Sequence, residues 1–169
     1  MTGGPDAAGR LARSVAAEFR RRLEGEYAPR IGQCLRRLSA AQVWQRPAAN
    51  CNSVGNLVLH LCGNVTQWIQ VGFGGQPDAR DRDGEFAADG GVTADELDAR
   101  LRAVVAAACG VVDGLSADQL LATRTFQGQF EETGLGAVLH VLEHFSGHAG
   151  QIYAWTKQAT GRDLNFYDL

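Results

Sequence analysis

The sequence has no basic excess, no long apolar run and no closely paired cysteines, and each absence excludes something. Sixteen Lys and Arg residues against nineteen Asp and Glu give a formal net charge of -3 and a pI near 5.8. Nucleic-acid-binding modules normally carry basic charge in excess, so nucleic acid is not expected as a partner. The densest basic cluster, Arg20-Arg21-Arg22, falls inside a helical pattern. The longest uninterrupted apolar run, Ala103 to Val112, is far short of the about 20 residues that span a bilayer. Met1 to Asp6 shows no basic segment leading into an apolar one, so no signal peptide is expected. Cys34, Cys51, Cys62 and Cys109 form no C-x-x-C pair and are expected to be reduced, buried thiols. Together these features lead us to expect a soluble cytoplasmic protein.

The chain has 169 residues and a mass of 18.1 kDa, with 45% hydrophobic and 21% charged residues. That size suits one domain, residues 1–169, which buries about 70% of its unfolded surface and needs no staples.

Apolar residues recur in steps of four at Leu11, Val15, Phe19, Leu23, Tyr27, Ile31 and Leu35, a helical stripe that Pro29 is expected to kink or break. Ser39-Ala-Ala-Gln42 is a capping-box pattern for a short turn, and Arg46-Pro47 ends it. A second long helix starts after Asn52-Ser53, with Val54, Leu57, Val58, Leu61, Val65, Trp68 and Ile69 on one face. Residues 72–92 are glycine-rich, contain the run Arg80-Asp81-Arg82-Asp83, and read as a long loop rather than a helix. Such a run is ordinarily a solvated loop; a lid over a substrate is the sharper reading. Thr93-Ala-Asp-Glu96 opens a third helix, and Leu115-Ser-Ala-Asp-Gln119 echoes Leu38-Ser-Ala-Ala-Gln42. A small hairpin is expected around Gln127-Gly128, followed by a fourth helix from about Thr133 to Gln158. The fold class this implies is all-α: a four-helix bundle with long crossover connections.

The chain has four histidines, His60, His140, His144 and His148. The last three step by four along the fourth helix, which stacks them on one face. They sit off the Leu135/Leu142/Tyr153 stripe, and His60 borders the apolar face of its own helix, flanked by Asn56 and Asn64. Facing helices of a bundle supply the ligands of core metal sites, so His144, His148 and His60 read as a three-imidazole metal site. The alternative is a set of helix-surface histidines. Three imidazoles suit zinc by availability, with nickel, iron, copper or manganese as other occupants. They leave a fourth position open to water or substrate, as in catalytic zinc sites.

The segment Asn52-Ser-Val-Gly-Asn-Leu-Val-Leu-His60-Leu-Cys-Gly-Asn64 resembles the second-helix motif of the DinB/YfiT-like superfamily. His140-Val-Leu-Glu-His144-Phe-Ser-Gly-His148-Ala-Gly-Gln151 resembles its fourth-helix motif. The resemblance runs through most of the chain. Trp44-Gln-Arg-Pro47, Asp78-Ala-Arg-Asp-Arg-Asp-Gly-Glu-Phe86 and Gly161-Arg-Asp-Leu-Asn-Phe-Tyr167 look like a subfamily without assigned activity. It implies a four-helix bundle with metal ligands His60, His144 and His148. Superfamily members include metal-dependent S-transferases using bacillithiol, mycothiol or glutathione, and a thiol-dependent isomerase.

Three readings follow. The first is a metal-dependent transferase joining a small-molecule thiol to an electrophile, with Arg80, Arg82 or Arg124 holding the thiol's carboxylates. The second is a metal-dependent hydrolase in which His140 or Glu143 carries protons. The third is a non-catalytic metal- or ligand-binding stress protein, in which a fourth side chain closes the metal site. His140 and Glu143 are thus the candidate catalytic residues, while Asn56 and Asn64 are candidates to orient His60. The fourth helix is apolar almost all the way round, and Gly147 and Gly150 lie on the remaining arc, so a homodimer is expected. A connecting segment or the tail Leu164–Leu169 is the other possible cover.

Overall fold

The computed structural model describes residues 7–166. The signal-peptide reading of Met1 to Asp6 and the end of the tail fall outside them. Helix α1 (Ala7–Arg22) runs through a π-helical stretch, Leu23–Tyr27, into α2 (Ala28–Arg37). Pro29 therefore does not break the helix. The Ala28 N–H bonds back to Leu23 O, and Pro29 sits in the first turn of α2, where a missing N–H costs nothing. The π stretch also accounts for the step of four. A strict four-residue repeat drifts ~40° per step on a 3.6-residue helix, and a wider turn resets it. Leu11, at the start of the stripe, is left exposed.

Two short helices, α3 (Ala40–Trp44) and α7 (Ala117–Leu121), arise from the repeated Leu-Ser-Ala-x-Gln pattern. In both, Ser and Gln form a full capping box, and the preceding Leu is buried with the fourth helical residue: Leu38 with Val43, and Leu115 with Leu120. Helix α4 (Val54–Val65) continues into a second π stretch, Thr66–Val71. Helix α6 spans Ala94–Asp113 and α8 Gly134–Thr160. Between α7 and α8, β1 (Thr123–Phe126) pairs antiparallel with β2 (Phe130–Thr133), with Phe126 opposite Phe130. Gln127 and Gly128 at its turn both take positive φ, 55° and 69°.

Helices α2, α6, α4 and α8 pack each on the next and close a ring of four around one hydrophobic core. The bundle expected from the sequence is therefore the fold. The loop 72–92 is not wholly irregular: it contains α5 (Arg82–Ala87), capped by Asp81 and packed on α4. The inward face of α8 is Val138, Val141, Phe145, Ala149 and Ile152; Leu135, Leu142 and Tyr153 are only partly buried. All four cysteines are free, with Cys34, Cys62 and Cys109 buried and Cys51 half-buried. Burial pushes Cys62 up to about 12 and Cys109 up to about 11, so neither is a thiolate at neutral pH. No helix among the described residues is long and apolar enough to cross a membrane.

Candidate metal centre

Ser53 caps α4 with a full capping box, Asn56 being its third helical residue. His60 follows on the next turn and is 4% exposed, a buried ring on the inner wall of the site. Its Nε2 lies 2.9 Å from Nε2 of His144 on α8, and its ring centroid lies 5.0 Å from that of His148. One ligand atom from each of His60, His144 and His148 falls within 4.8 Å of the others, so the triad can hold a metal ion. Trp68 lies beside His140, whereas His60 lies beside His144 and His148. Advancing along α4 thus means retreating along α8, and the two helices are antiparallel.

A metal-binding imidazole must be neutral at the coordinating nitrogen and oriented through the other one. His144 and His148 meet the first condition, and His148 and His60 the second. Burial, reinforced by the charges of His148, His60, His140 and Arg80, pushes His144 down from 6.5 to about 3. Burial also lowers His148, against a hydrogen bond to Gln151. The Nδ1–H of His148 donates to Gln151 Oε1 at 2.9 Å, and that of His60 donates to Glu85 Oε2 at 3.0 Å. Each bond engages Nδ1 and turns Nε2 towards the shared point.

Glu85 comes from α5, and the sequence offered no role for it. Arg80 Nε and Nη2 grip its two oxygens, each at 2.8 Å, and Nη2 lies 3.1 Å from His60 Nδ1. Burial alone raises the Glu85 carboxyl, but the bonds from Arg80 and His60 prevail and hold it below the ordinary value. Arg80 is therefore not part of a solvated charge run, since its side chain is 8% exposed. The clamp reaches His60 through the gap at Gly63, where a Cβ would sit 1.8 Å from Glu85 Oε1. Asn56 does not touch His60. Its Nδ2 donates to the carbonyls of Glu85 and Ala88 and pins the strap to α4. Asn64 makes no bond to His60 either, because Nδ1 is already taken. Arg124 lies away from the centre, over Phe73 and bonded to Gly72 O.

A cleft of about 520 Å³ opens beside the triad, lined by His60, His144, Asn64, Trp68, His140 and Phe130, with Arg82 at its side. Arg82 is exposed and lies over the Phe86 ring. His140 packs on Trp68 at 4.1 Å between ring centroids, and burial lowers it despite the charges of Glu143 and Glu132. Glu143 is exposed, does not line the cleft and reaches His140 only through its charge. The ligand cluster holds three imidazoles and, among the described residues, no fourth protein ligand.

The mycothiol-S-transferase family profile matches residues 26–155, which covers α2, α4, α6 and most of α8, including all three imidazoles. The chain belongs to the mycothiol-S-transferase family. It is thereby a DinB-like protein. Its fold is similar to that of a DinB-like protein from Bacillus subtilis, at TM-score 0.66 and 16% identity over 91% of this chain and 97% of that one. A conserved protein from Enterococcus faecalis is similar at TM-score 0.69 and 17% identity, over 94% and 100% of the two chains. A DinB-like protein from Bacillus cereus reaches TM-score 0.64 and 16% identity, over 80% and 87%. Identities this low speak for the fold alone. No curated protein matches the chain.

Proposed function

We propose that this family member is a metal-dependent S-transferase that joins a small cysteine-derived thiol, of the mycothiol, bacillithiol or glutathione class, to an electrophile. The observation that carries this reading is the convergence of three imidazoles on one point, open on one side to a 520 Å³ cleft. A divalent ion held by His60, His144 and His148, with zinc the first choice, supplies the positive charge that keeps a thiol deprotonated at neutral pH. The chain's own residues do the rest. Glu85 and Gln151 fix two of the rings, and low proton affinity at His144 and His148 keeps their nitrogens open. Trp68 and Phe130 wall the cleft against water. The thiolate sulfur forms a bond to the electrophilic carbon, and the leaving atom departs with its electron pair. Arg82, which makes no ion pair among the described residues, would draw in a carboxylate. We propose also that two copies pair through the open face of α8.

The test is conjugation of each of the three thiols to a chromogenic electrophile by zinc- and nickel-loaded protein. Turnover with at least one thiol, lost in His144→Ala, is expected. Absence of metal-dependent turnover with all three, together with hydrolysis of an ester, amide or phosphoester panel, overturns the transferase in favour of a hydrolase.

A further inference from the structure

Two buried polar atoms on residues that line the cleft have no partner among the described residues: Asn64 Oδ1 and His140 Nε2. A buried polar group without a bond carries a desolvation penalty, so native structures rarely keep one without use. Here there are two, and they are related. Asn64 stands one turn beyond His60 on α4, and His140 stands one turn before His144 on α8. Because the helices are antiparallel, both lie on the same side of the triad, one layer away. Asn64 is 4% exposed, so solvent does not satisfy it. The next layer is aromatic: Trp68 stacks on Phe126 at 5.0 Å and on Phe130 at 6.1 Å, and its ring lies 4.1 Å from that of His140.

The chemistry of the pair is specific. A carbonyl oxygen accepts and does not donate. A neutral imidazole whose Nε2 bears the proton donates. With its proton on Nε2, His140 makes the pair one donor and one acceptor, on facing helices and without charge. Neither atom supplies a counter-charge to a carboxylate or phosphate, and the Asn64 oxygen repels one. A planar group with one N–H and one C=O satisfies both atoms, and its flat face suits the ring wall beyond.

We propose that Asn64 and His140 form the recognition pair for a secondary amide of the ligand, with the amide N–H donating to Asn64 Oδ1 and the amide C=O accepting from His140 Nε2–H. The assignment of that amide to the one flanking the sulfur of a cysteine-derived thiol rests on the transferase reading; the amide site itself does not. Both residues are recognition residues and neither holds the metal.

Binding to the full-length chain tests this, with three probes: N-acetylcysteine methylamide, 2-methylpropane-1-thiol, which lacks the amide, and N-acetylalanine methylamide, which lacks the sulfur. The readouts are dissociation constants and the side-chain ¹⁵N resonances of Asn64 and His140. The amide thiol is expected to bind zinc-loaded protein at least about 10-fold more tightly than the alkyl thiol, the scale of a buried hydrogen-bonded group. Asn64→Leu and His140→Phe are each expected to erase that preference while leaving zinc affinity unchanged. Both remove an unsatisfied buried group, so melting temperature is expected to hold or rise, which separates lost recognition from lost folding. Equal affinity for the two thiols in the native chain overturns the proposal, as does an equal loss of both in the variants. If the sulfur-free amide moves the Asn64 and His140 resonances while neither thiol binds, the amide site stands and the transferase reading fails. If no probe moves them, water alone fills the site and the proposal fails, whatever the fate of the transferase reading.

Discussion

The two helices that bring the imidazoles together are held in opposite ways. In α4, eleven of twelve residues are buried, and the strap 72–92 crosses the face that the bundle leaves open. His60 is consequently gripped from behind by a carboxylate that is itself gripped by Arg80. In α8, eight of twenty-seven residues are buried, and one long face meets solvent. His148 is steadied by a neutral amide from its own helix, and among the described residues His144 has no hydrogen bond to any group outside the triad. One wall of the site is locked by tertiary contacts, and the other is positioned by helix geometry. The lesson is that apolar content does not reveal coverage. Helix α8 reads as apolar all round yet has an open face. Helix α4 reads as one-faced yet is enclosed.

Removing a ligand is the coarsest way to break the comparison. His144→Ala and His60→Ala are each expected to abolish stoichiometric metal binding, measured by elemental analysis of protein purified without an affinity tag. Retention of full metal by either variant sinks the site.

The comparison sharpens at the supporting groups. Loss of such a partner typically costs 10–100-fold in metal affinity. Glu85→Ala is expected near the upper end, because it removes an ionised acceptor and leaves Arg80 Nη2 facing His60 Nδ1. Gln151→Ala is expected near the lower end, because a neutral amide on an exposed helix face is replaced readily by water. Chelator competition measures both, and a larger loss for Gln151→Ala reverses the ranking of the walls. Gly63→Ala is a third probe that touches no ligand. Its methyl must displace the Glu85 carboxylate, so affinity is expected to fall between the native and Glu85→Ala values.

Much of this architecture is readable from residues alone. Capping boxes at Ser39, Ser53, Thr93 and Ser116 mark helix starts, because they satisfy local backbone groups. The triad is legible because i, i+4 spacing is a property of one helix. Glu85 is not legible. Its partner His60 lies 25 residues away, and their meeting depends on a missing Cβ at Gly63 and on Asn56 pinning the strap. In the sequence it is one acid beside a charged run that looks solvated. The inward face of α8 was also obscured, since a helix rich in Leu, Val and Phe gives weak preference for any one face.

The acid side of the stability profile follows from the same buried rings. An unfolded His takes up its proton near 6.5, whereas folded His144 does so only at about 3, and His140 and His148 are lowered too. Below 6.5 the unfolded chain binds more protons than the folded one, so stability declines as pH falls from about 6.5 towards 3. Denaturant midpoints of metal-free protein at pH 7, 6, 5 and 4 are expected to drop steadily, and His144→Leu is expected to flatten the slope. A profile that is level between pH 7 and 5 contradicts buried, neutral imidazoles.

The smallest effect concerns the open face of α8. Among the described residues, neither the hairpin nor the tail covers Gly147 or Gly150, since a Cβ at either position meets nothing within 4 Å. Leu139 on the same helix is 54% exposed. Each glycine inside a helix costs about 1 kcal/mol relative to alanine, and none of the described residues uses the space they leave. A second copy laid against this face uses it, because two small-residue surfaces allow close helix approach around a two-fold axis. Light scattering at tens of micromolar is then expected to give roughly twice 18.1 kDa. Gly150→Arg, which has room in the isolated chain, is expected to return the mass to that of one chain without changing metal affinity. A single-chain mass for the native protein at that concentration shows instead that the two glycines face only water. The asymmetry between the helices would then belong to the monomer.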